Sequence, residues 1–118
     1  MQISIQGSEH EEVQIKLEYL LRRLRPEHSR IEKIILFGSA ARGDARQPYD
    51  LDVAILVPSR EKFLTRLRRY YQKIEPDFAL DLLVYTPEEF KRMLRRGNPF
   101  VREIKKHGRV IYEKKRSG

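Results

Sequence analysis

The chain reads as a mixed α/β (α+β) domain, with helices packed on a small β-sheet. Three observations carry that reading. Apolar residues recur at helical spacing in some segments, shorter apolar runs rich in β-branched residues fill others, and the two kinds interleave along the chain. No internal repeat, low-complexity tract or linker divides the sequence. Residues 1–118 are therefore expected to form a single domain, long enough for one compact core.

The first helix is signalled by Ser8 and Glu11, spaced as an N-cap and its capping-box partner. Val13, Leu17, Leu20, Leu21 and Leu24 then form one apolar stripe, and Pro26 stops the helix. The residues before Ser8 make a short strand or a loose arm. Ile31 to Phe37 is a nearly continuous apolar run, as a buried strand requires. Gly38-Ser39 breaks it, and Ala40 to Asp44 begins a short helix that ends near Gly43. Arg46-Gln47-Pro48 is loop, and Asp50 to Val57 is a second strand closed by Pro58. Ser59 is placed to cap the next helix, where Phe63, Leu67, Tyr70, Tyr71 and Ile74 recur at helical spacing before Pro76. Phe78 to Tyr85 is a third strand with Asp81 as its one charge. Thr86-Pro87-Glu88-Glu89 combines an N-cap, a proline at N1 and a capping-box glutamate. Phe90, Met93 and Leu94 face inward and Gly97 ends that helix. Asn98-Pro99 repeats the start signal ahead of Phe100, Val101 and Ile104, with a stop at Gly108. Val110-Ile111-Tyr112 is a last short strand, and Lys114 to Gly118 is a basic tail.

Lys and Arg number 25 against 17 Asp and Glu, a formal charge of +8, which suits nucleic acid, nucleotides or an acidic partner as well as a plain cationic surface. With no cysteine there is neither a disulfide nor a thiolate metal site. No signal-peptide pattern and no apolar stretch of membrane-spanning length is present, so a soluble cytoplasmic protein is expected. His10, His28 and His107 are scattered and their spacing makes no metal motif.

The chemistry is concentrated between Gly38 and Asp81. Alternation along a strand puts Asp50 and Asp52 on one face, about 6–7 Å apart, while Leu51, Val53, Ile55 and Val57 turn to the core. Two like charges side by side are unfavourable unless a cation lies between them, and Mg²⁺ favours carboxylate oxygens together with substrate phosphates. Asp81, alone among apolar neighbours, is the candidate third carboxylate, since a buried lone charge is costly unless paired or metal-bound. Asp77, next to Pro76, belongs to a turn. Gly38 permits close backbone approach, the N–H groups that open the following helix attract phosphate, Ser39 adds a hydroxyl, and Arg42 can reach a triphosphate oxygen. Taken singly, each piece has an ordinary structural explanation; the combination carries the argument.

Gly38-Ser39, followed after ten residues by Asp50-Leu51-Asp52 and later by Asp81, resembles the signature of the minimal nucleotidyltransferases, small members of the superfamily that includes DNA polymerase beta. The segment Gly38 to Ala45 also resembles that family's helix after the first strand, while Tyr49 stands where relatives often carry serine. The resemblance implies a nucleotidyltransferase fold and Mg²⁺-dependent transfer of adenylate from ATP, with two metal ions. Asp50, Asp52 and Asp81 would be catalytic and metal-binding, and Gly38, Ser39 and Arg42 would hold the triphosphate. Members of the family act as antitoxins that adenylylate a tyrosine on a HEPN-domain ribonuclease toxin, so a HEPN partner is implied here. The motif-bearing elements use nearly the whole chain, so the acceptor is expected from another macromolecule or from a second copy of the protein.

Two other functions compete. One is a non-catalytic module that neutralises a toxin by occlusion. The other is an RNA-binding module. Arg66, Arg68, Arg69 and Lys73 with Tyr70 and Tyr71 form one aromatic-basic cluster, and Arg92, Arg95, Arg96, Arg102, Lys105 and Lys106 form a second. The plainer reading of the first cluster is a solvated helix face with both tyrosines partly in the core. The intact carboxylate set favours the enzyme.

Overall fold

Four strands form a sheet in the order β3-β2-β1-β4, with β1 at Lys33–Phe37, β2 at Leu51–Leu56, β3 at Leu80–Tyr85 and β4 at Arg109–Glu113. The computed structural model describes residues 8–43 and 50–115, and side chains from residue 11 onward. The Ser8 cap, the arm before it, Asp44, Ala45, the loop at 46–48, Tyr49 and the end of the basic tail lie outside the described residues. The five helices are α1 (Ser8–Leu24), α2 (Gly38–Arg42), α3 (Phe63–Ile74), α4 (Pro87–Arg95) and α5 (Pro99–His107). The expected mixed α/β architecture is therefore observed.

β1 runs antiparallel to both β2 and β4, whereas β2 and β3 are parallel. A parallel pair needs a crossover, and α3 supplies it. The sheet is covered on both faces. On one face, Ile34, Leu36, Leu51, Val53, Ile55, Leu80, Leu82 and Val84 meet Val13, Leu17, Leu20 and Leu24 of α1 and Tyr70 and Ile74 of α3. On the other, Ile35, Phe37, Ala54, Leu56 and Tyr85 meet Phe90 of α4 and Val101 and Ile104 of α5. Burying one such aliphatic or aromatic side chain contributes about 1.5–3 kcal/mol, which explains why the strands read as nearly unbroken apolar runs.

The helix signals are used largely as expected. Thr86 Oγ1 accepts from Glu89 N at 3.1 Å and Glu89 Oε1 accepts from Thr86 N at 2.8 Å, a complete capping box with Pro87 in the first turn. Asn98 Oδ1 accepts from the N–H groups of Phe100 and Val101. Pro26 sits in a 3₁₀ turn, Arg25–Glu27, that follows α1 directly. Ser59 does not cap α3. Its hydroxyl accepts from Glu61 N at 3.0 Å in the preceding turn, and Lys62 holds the N-cap position. β3 starts at Leu80 rather than Phe78, whose ring instead packs edge-on against Tyr19 at 6.0 Å.

The first aromatic-basic cluster is not a surface stripe. Arg66 is 2% exposed and Tyr70 is 3% exposed. Arg66 Nη1 donates to Val84 O at 2.8 Å and to Glu89 Oε1 at 2.7 Å, while Nη2 donates to Glu61 O at 2.9 Å. Arg66 thus ties α3 to the end of β3 and to the capping box of α4. Helical spacing put it near the apolar stripe, and the partners that admit a charge to the interior are remote in sequence. Arg68 and Arg69 remain exposed, Arg69 paired with Glu61 at 2.6 Å. Among the described residues, no helix is long and apolar enough to cross a membrane.

Candidate active site

Three strands deliver the site. Asp52 is the Cα partner of Phe37 at the end of β1 and of Asp81 in β3. Neighbouring strands lie about 4.8 Å apart, so side chains directly opposite on one face meet. Alternation puts Phe37, Asp52 and Asp81 on the face that α4 and α5 cover. That cover gives out at Asp81, which is exposed on the edge strand rather than buried as a lone charge.

The hydroxyl of Tyr71 in α3 donates to Leu80 O at 2.6 Å and accepts from Leu82 N at 3.1 Å. The backbone is thereby held on both sides of Asp81.

Asp52 is half-buried, and its carboxyl is pushed up to about 6. Burial is the largest cause, followed by a hydrogen bond to Asp81 and by the charges of Asp81 and Asp50, while Arg42 pulls the other way. Below about pH 6 the Asp52 carboxyl holds its proton and faces the Asp81 carboxyl group; above that it is ionised beside Asp81 and Asp50. Two carboxyl groups this close repel when both are ionised, and a cation would relieve that repulsion.

Gly38 has φ +74°, and an added Cβ would overlap the Asp52 carboxylate, lying within 3.0 Å of its Cγ. The chain turns sharply here from β1 into α2, and the absence of a side chain makes room for Asp52. Ser39 follows. Arg42, at the end of α2, acts on Asp52 and lies 3.9 Å from Glu103 of α5.

The six expected site residues thus occupy one neighbourhood with unequal closeness. Asp52 and Asp81 meet, and Gly38 abuts Asp52. Asp50 is exposed one residue before β2, where its charge is felt at Asp52. Among the described residues, no three acidic or histidine side chains close into a metal-holding cluster. The donor chemistry, carboxylate oxygens only, is of the kind a hard divalent ion such as Mg²⁺ takes.

Sequence reasoning named Phe100 only as an apolar residue of α5 and gave it no part in the site. It is 49% exposed, and its ring packs edge-on against Phe37 with centroids 5.6 Å apart. An exposed aromatic therefore borders the bend. Val101 and Ile104 share a stripe three residues apart, and Phe100 lies on its margin, which spacing alone does not resolve.

The sequence matches the family described as Polymerase beta, Nucleotidyltransferase over residues 20–117. No curated protein matches. Three crystal structures share the fold. A candidate nucleotidyltransferase from Sulfolobus solfataricus aligns with a TM-score of 0.62 at 19% identity, covering 92% of this chain and 90% of its own. A mutant form of the toxin–antitoxin MntA–HpeT aligns at 0.55 and 21% identity, covering 82% and 72%. A toxin–antitoxin structure with AMP-PNP aligns at 0.52 and 18% identity, covering 81% and 72%. At these identities the structures speak to fold, whereas the family match spans most of the sequence, and the chain belongs to the polymerase beta nucleotidyltransferase family.

Proposed function

We propose that this protein transfers AMP from ATP to a hydroxyl of a partner protein in a Mg²⁺-dependent reaction, as the antitoxin of a HEPN-type toxin–antitoxin pair. The carrying observation is the Asp52–Asp81 carboxyl pair set against the Gly38 bend. The toxin–antitoxin structures that share the fold, one of them with AMP-PNP, support the choice of nucleotide and partner.

In this reading Ser39, the backbone at the Gly38 bend and the Arg42 guanidinium bind the triphosphate. Asp50, Asp52 and Asp81 would hold Mg²⁺, which supplies charge neutralisation at the phosphates when bound. Asp81, the exposed member of the pair, takes the proton of the acceptor hydroxyl. A bond forms from that oxygen to the α-phosphorus, the bond to the β-phosphate oxygen breaks, and pyrophosphate leaves. The half-buried setting of Asp52 strengthens its interaction with a cation relative to bulk water.

The test is incubation of the protein with labelled ATP, Mg²⁺ and the product of the adjacent gene. Label on the partner that vanishes with Asp50→Asn and Asp52→Asn supports transfer. Neutralisation of the toxin without label, retained in those variants, replaces the reading with occlusion. RNA binding through α3 has less support, because Arg66 and Tyr70 are inside the fold.

A further inference from the structure

A cavity of about 860 Å³ lies away from the carboxylates. Its walls come from the end of α1, the turn after it and the end of β4. β4 pairs Glu113 with Lys33, which opens β1, whereas Gly38 follows its close. Five residues of strand therefore put the cavity about 16 Å from the bend along the sheet, on the face that α1 covers. The volume is of the size that small-molecule sites have.

The lining is cationic. Arg22, Arg25, Lys114 and Lys115 face two carboxylates, Glu18 and Glu113. Glu113 pairs with Lys33 at 3.6 Å, and Glu18 accepts from Gln14 at 3.0 Å. Arg25, Lys114 and Lys115 make no ion pair among the described residues. Arg22 and Arg25 have an ordinary role, since cations at a helix C-terminus offset its dipole. That role does not account for the two lysines brought to the same cavity by the segment after β4. Like charges gathered without partners repel, and a bound anion removes the repulsion.

The cavity also has an aromatic wall. The rings of His28 and Tyr112 stack with centroids 4.2 Å apart, and the Tyr112 hydroxyl donates to His28 O at 2.8 Å. Burial and the neighbouring Arg25 hold the imidazole below its ordinary range, so it is neutral near pH 7. Its Nε2 is shut off from solvent and has no hydrogen-bond partner, so the ring offers the cavity a flat apolar face rather than a polar edge.

We infer that this cavity is a second binding site, separate from the carboxylates, for a phosphate bearing a nucleobase. The cations take the phosphate and the stacked His28–Tyr112 pair takes the base. A free nucleotide and the end of an RNA strand offer the same chemistry.

An amide-resolved NMR titration with AMP in EDTA tests this. Without divalent ions, binding at the carboxylates is suppressed. The expected result is saturable shifts at Arg22, Arg25, Ser29 and Lys114, with Gly38 to Arg42 unmoved. Adenosine is expected to give much weaker shifts, and the exposed double variant Arg25→Gln, Lys114→Gln to weaken AMP about tenfold or more, as loss of charge-assisted bonds implies. A short single-stranded RNA that binds more tightly than AMP, with a log–log salt slope of about −2 for three neutralised phosphates, identifies the strand end. Equal affinity identifies the free nucleotide. Absent shifts, AMP binding unaltered in the double variant, or an acidic peptide that competes as well as AMP would overturn the inference. Loss of transferase activity elsewhere leaves these readouts untouched.

Discussion

The Asp52 carboxylate occupies the space that a side chain on residue 38 would fill. Gly38 therefore has two reasons to be glycine, the backbone conformation at φ +74° and the carboxylate lying against it. The bend and the acid are one unit, and a change at either is felt at the other.

Gly38→Ala is expected to displace Asp52 and to destabilise the fold by about 1–3 kcal/mol through left-handed backbone strain and overlap. Transfer from ATP should fall by at least about a hundredfold, in line with misplacement of groups at a reacting centre. Thermal melts and label transfer measure both. A fully active alanine variant would show that the contact does not set the Asp52 position.

The Asp52 carboxyl is raised from 3.8 to about 6, so the folded protein binds its proton more tightly than the unfolded chain does. For a raised acid, stability from this group falls as pH rises from about 4 to about 6, and the penalty is complete above that window. Asp52→Asn is therefore expected to stabilise the metal-free protein at pH 7.5, by on the order of 1 kcal/mol once solvent screening is allowed for. The variant should also lose the pH dependence between 4 and 6. Melting curves across that range in EDTA give the answer.

In the proposed reaction Mg²⁺ would compete with the same proton. Added Mg²⁺ is expected to raise the melting temperature of the wild-type protein at pH 7.5. The effect should fade as pH drops below about 6, where the Asp52 proton returns. In Asp52→Asn the shift should be largely lost. An equal Mg²⁺ response in both proteins would place the ion elsewhere.

Arg66 is buried with its guanidinium on Glu89, Val84 O and Glu61 O. Arg66→Ala strands these acceptors, and a loss of about 3–5 kcal/mol is expected. Arg66 holds Glu89 below its ordinary carboxylate range, so stability from Glu89 is present above 4.5 and is lost as pH falls below it. Glu89→Gln should remove that acid-side loss, read from denaturant midpoints at pH 3 to 5.

Arg42 and Glu103 are both about half exposed and 3.9 Å apart, a pair that adds little to stability. Glu103→Gln is expected to leave the midpoint within about 0.5 kcal/mol of wild type. Arg42→Gln should raise KM for ATP about tenfold, the value of one charge-assisted hydrogen bond, with kcat less affected. Steady-state kinetics separate the two.

The helices and strands were legible because local signals and apolar periods agreed. Thr86, Pro87 and Glu89 spell a cap that the fold forms, and the run from Leu51 to Val57 alternates as its face requires. Asp52 and Asp81 could be named from spacing, but not their direct opposition, which depends on the β2–β3 register. Arg66 was misread because its partners lie far away in the chain. Phe100 went unassigned because its position on α5 borders two faces. The relation between Gly38 and Asp52 was invisible to sequence, since it concerns space left empty.

Tyr71 has a consequence for assembly. A sheet recruits a foreign strand through unsatisfied backbone groups along its rim. At β3 the outward carbonyl of Leu80 and N–H of Leu82 are already taken by one phenol. An incoming strand cannot zip past Asp81 there without expelling that ring.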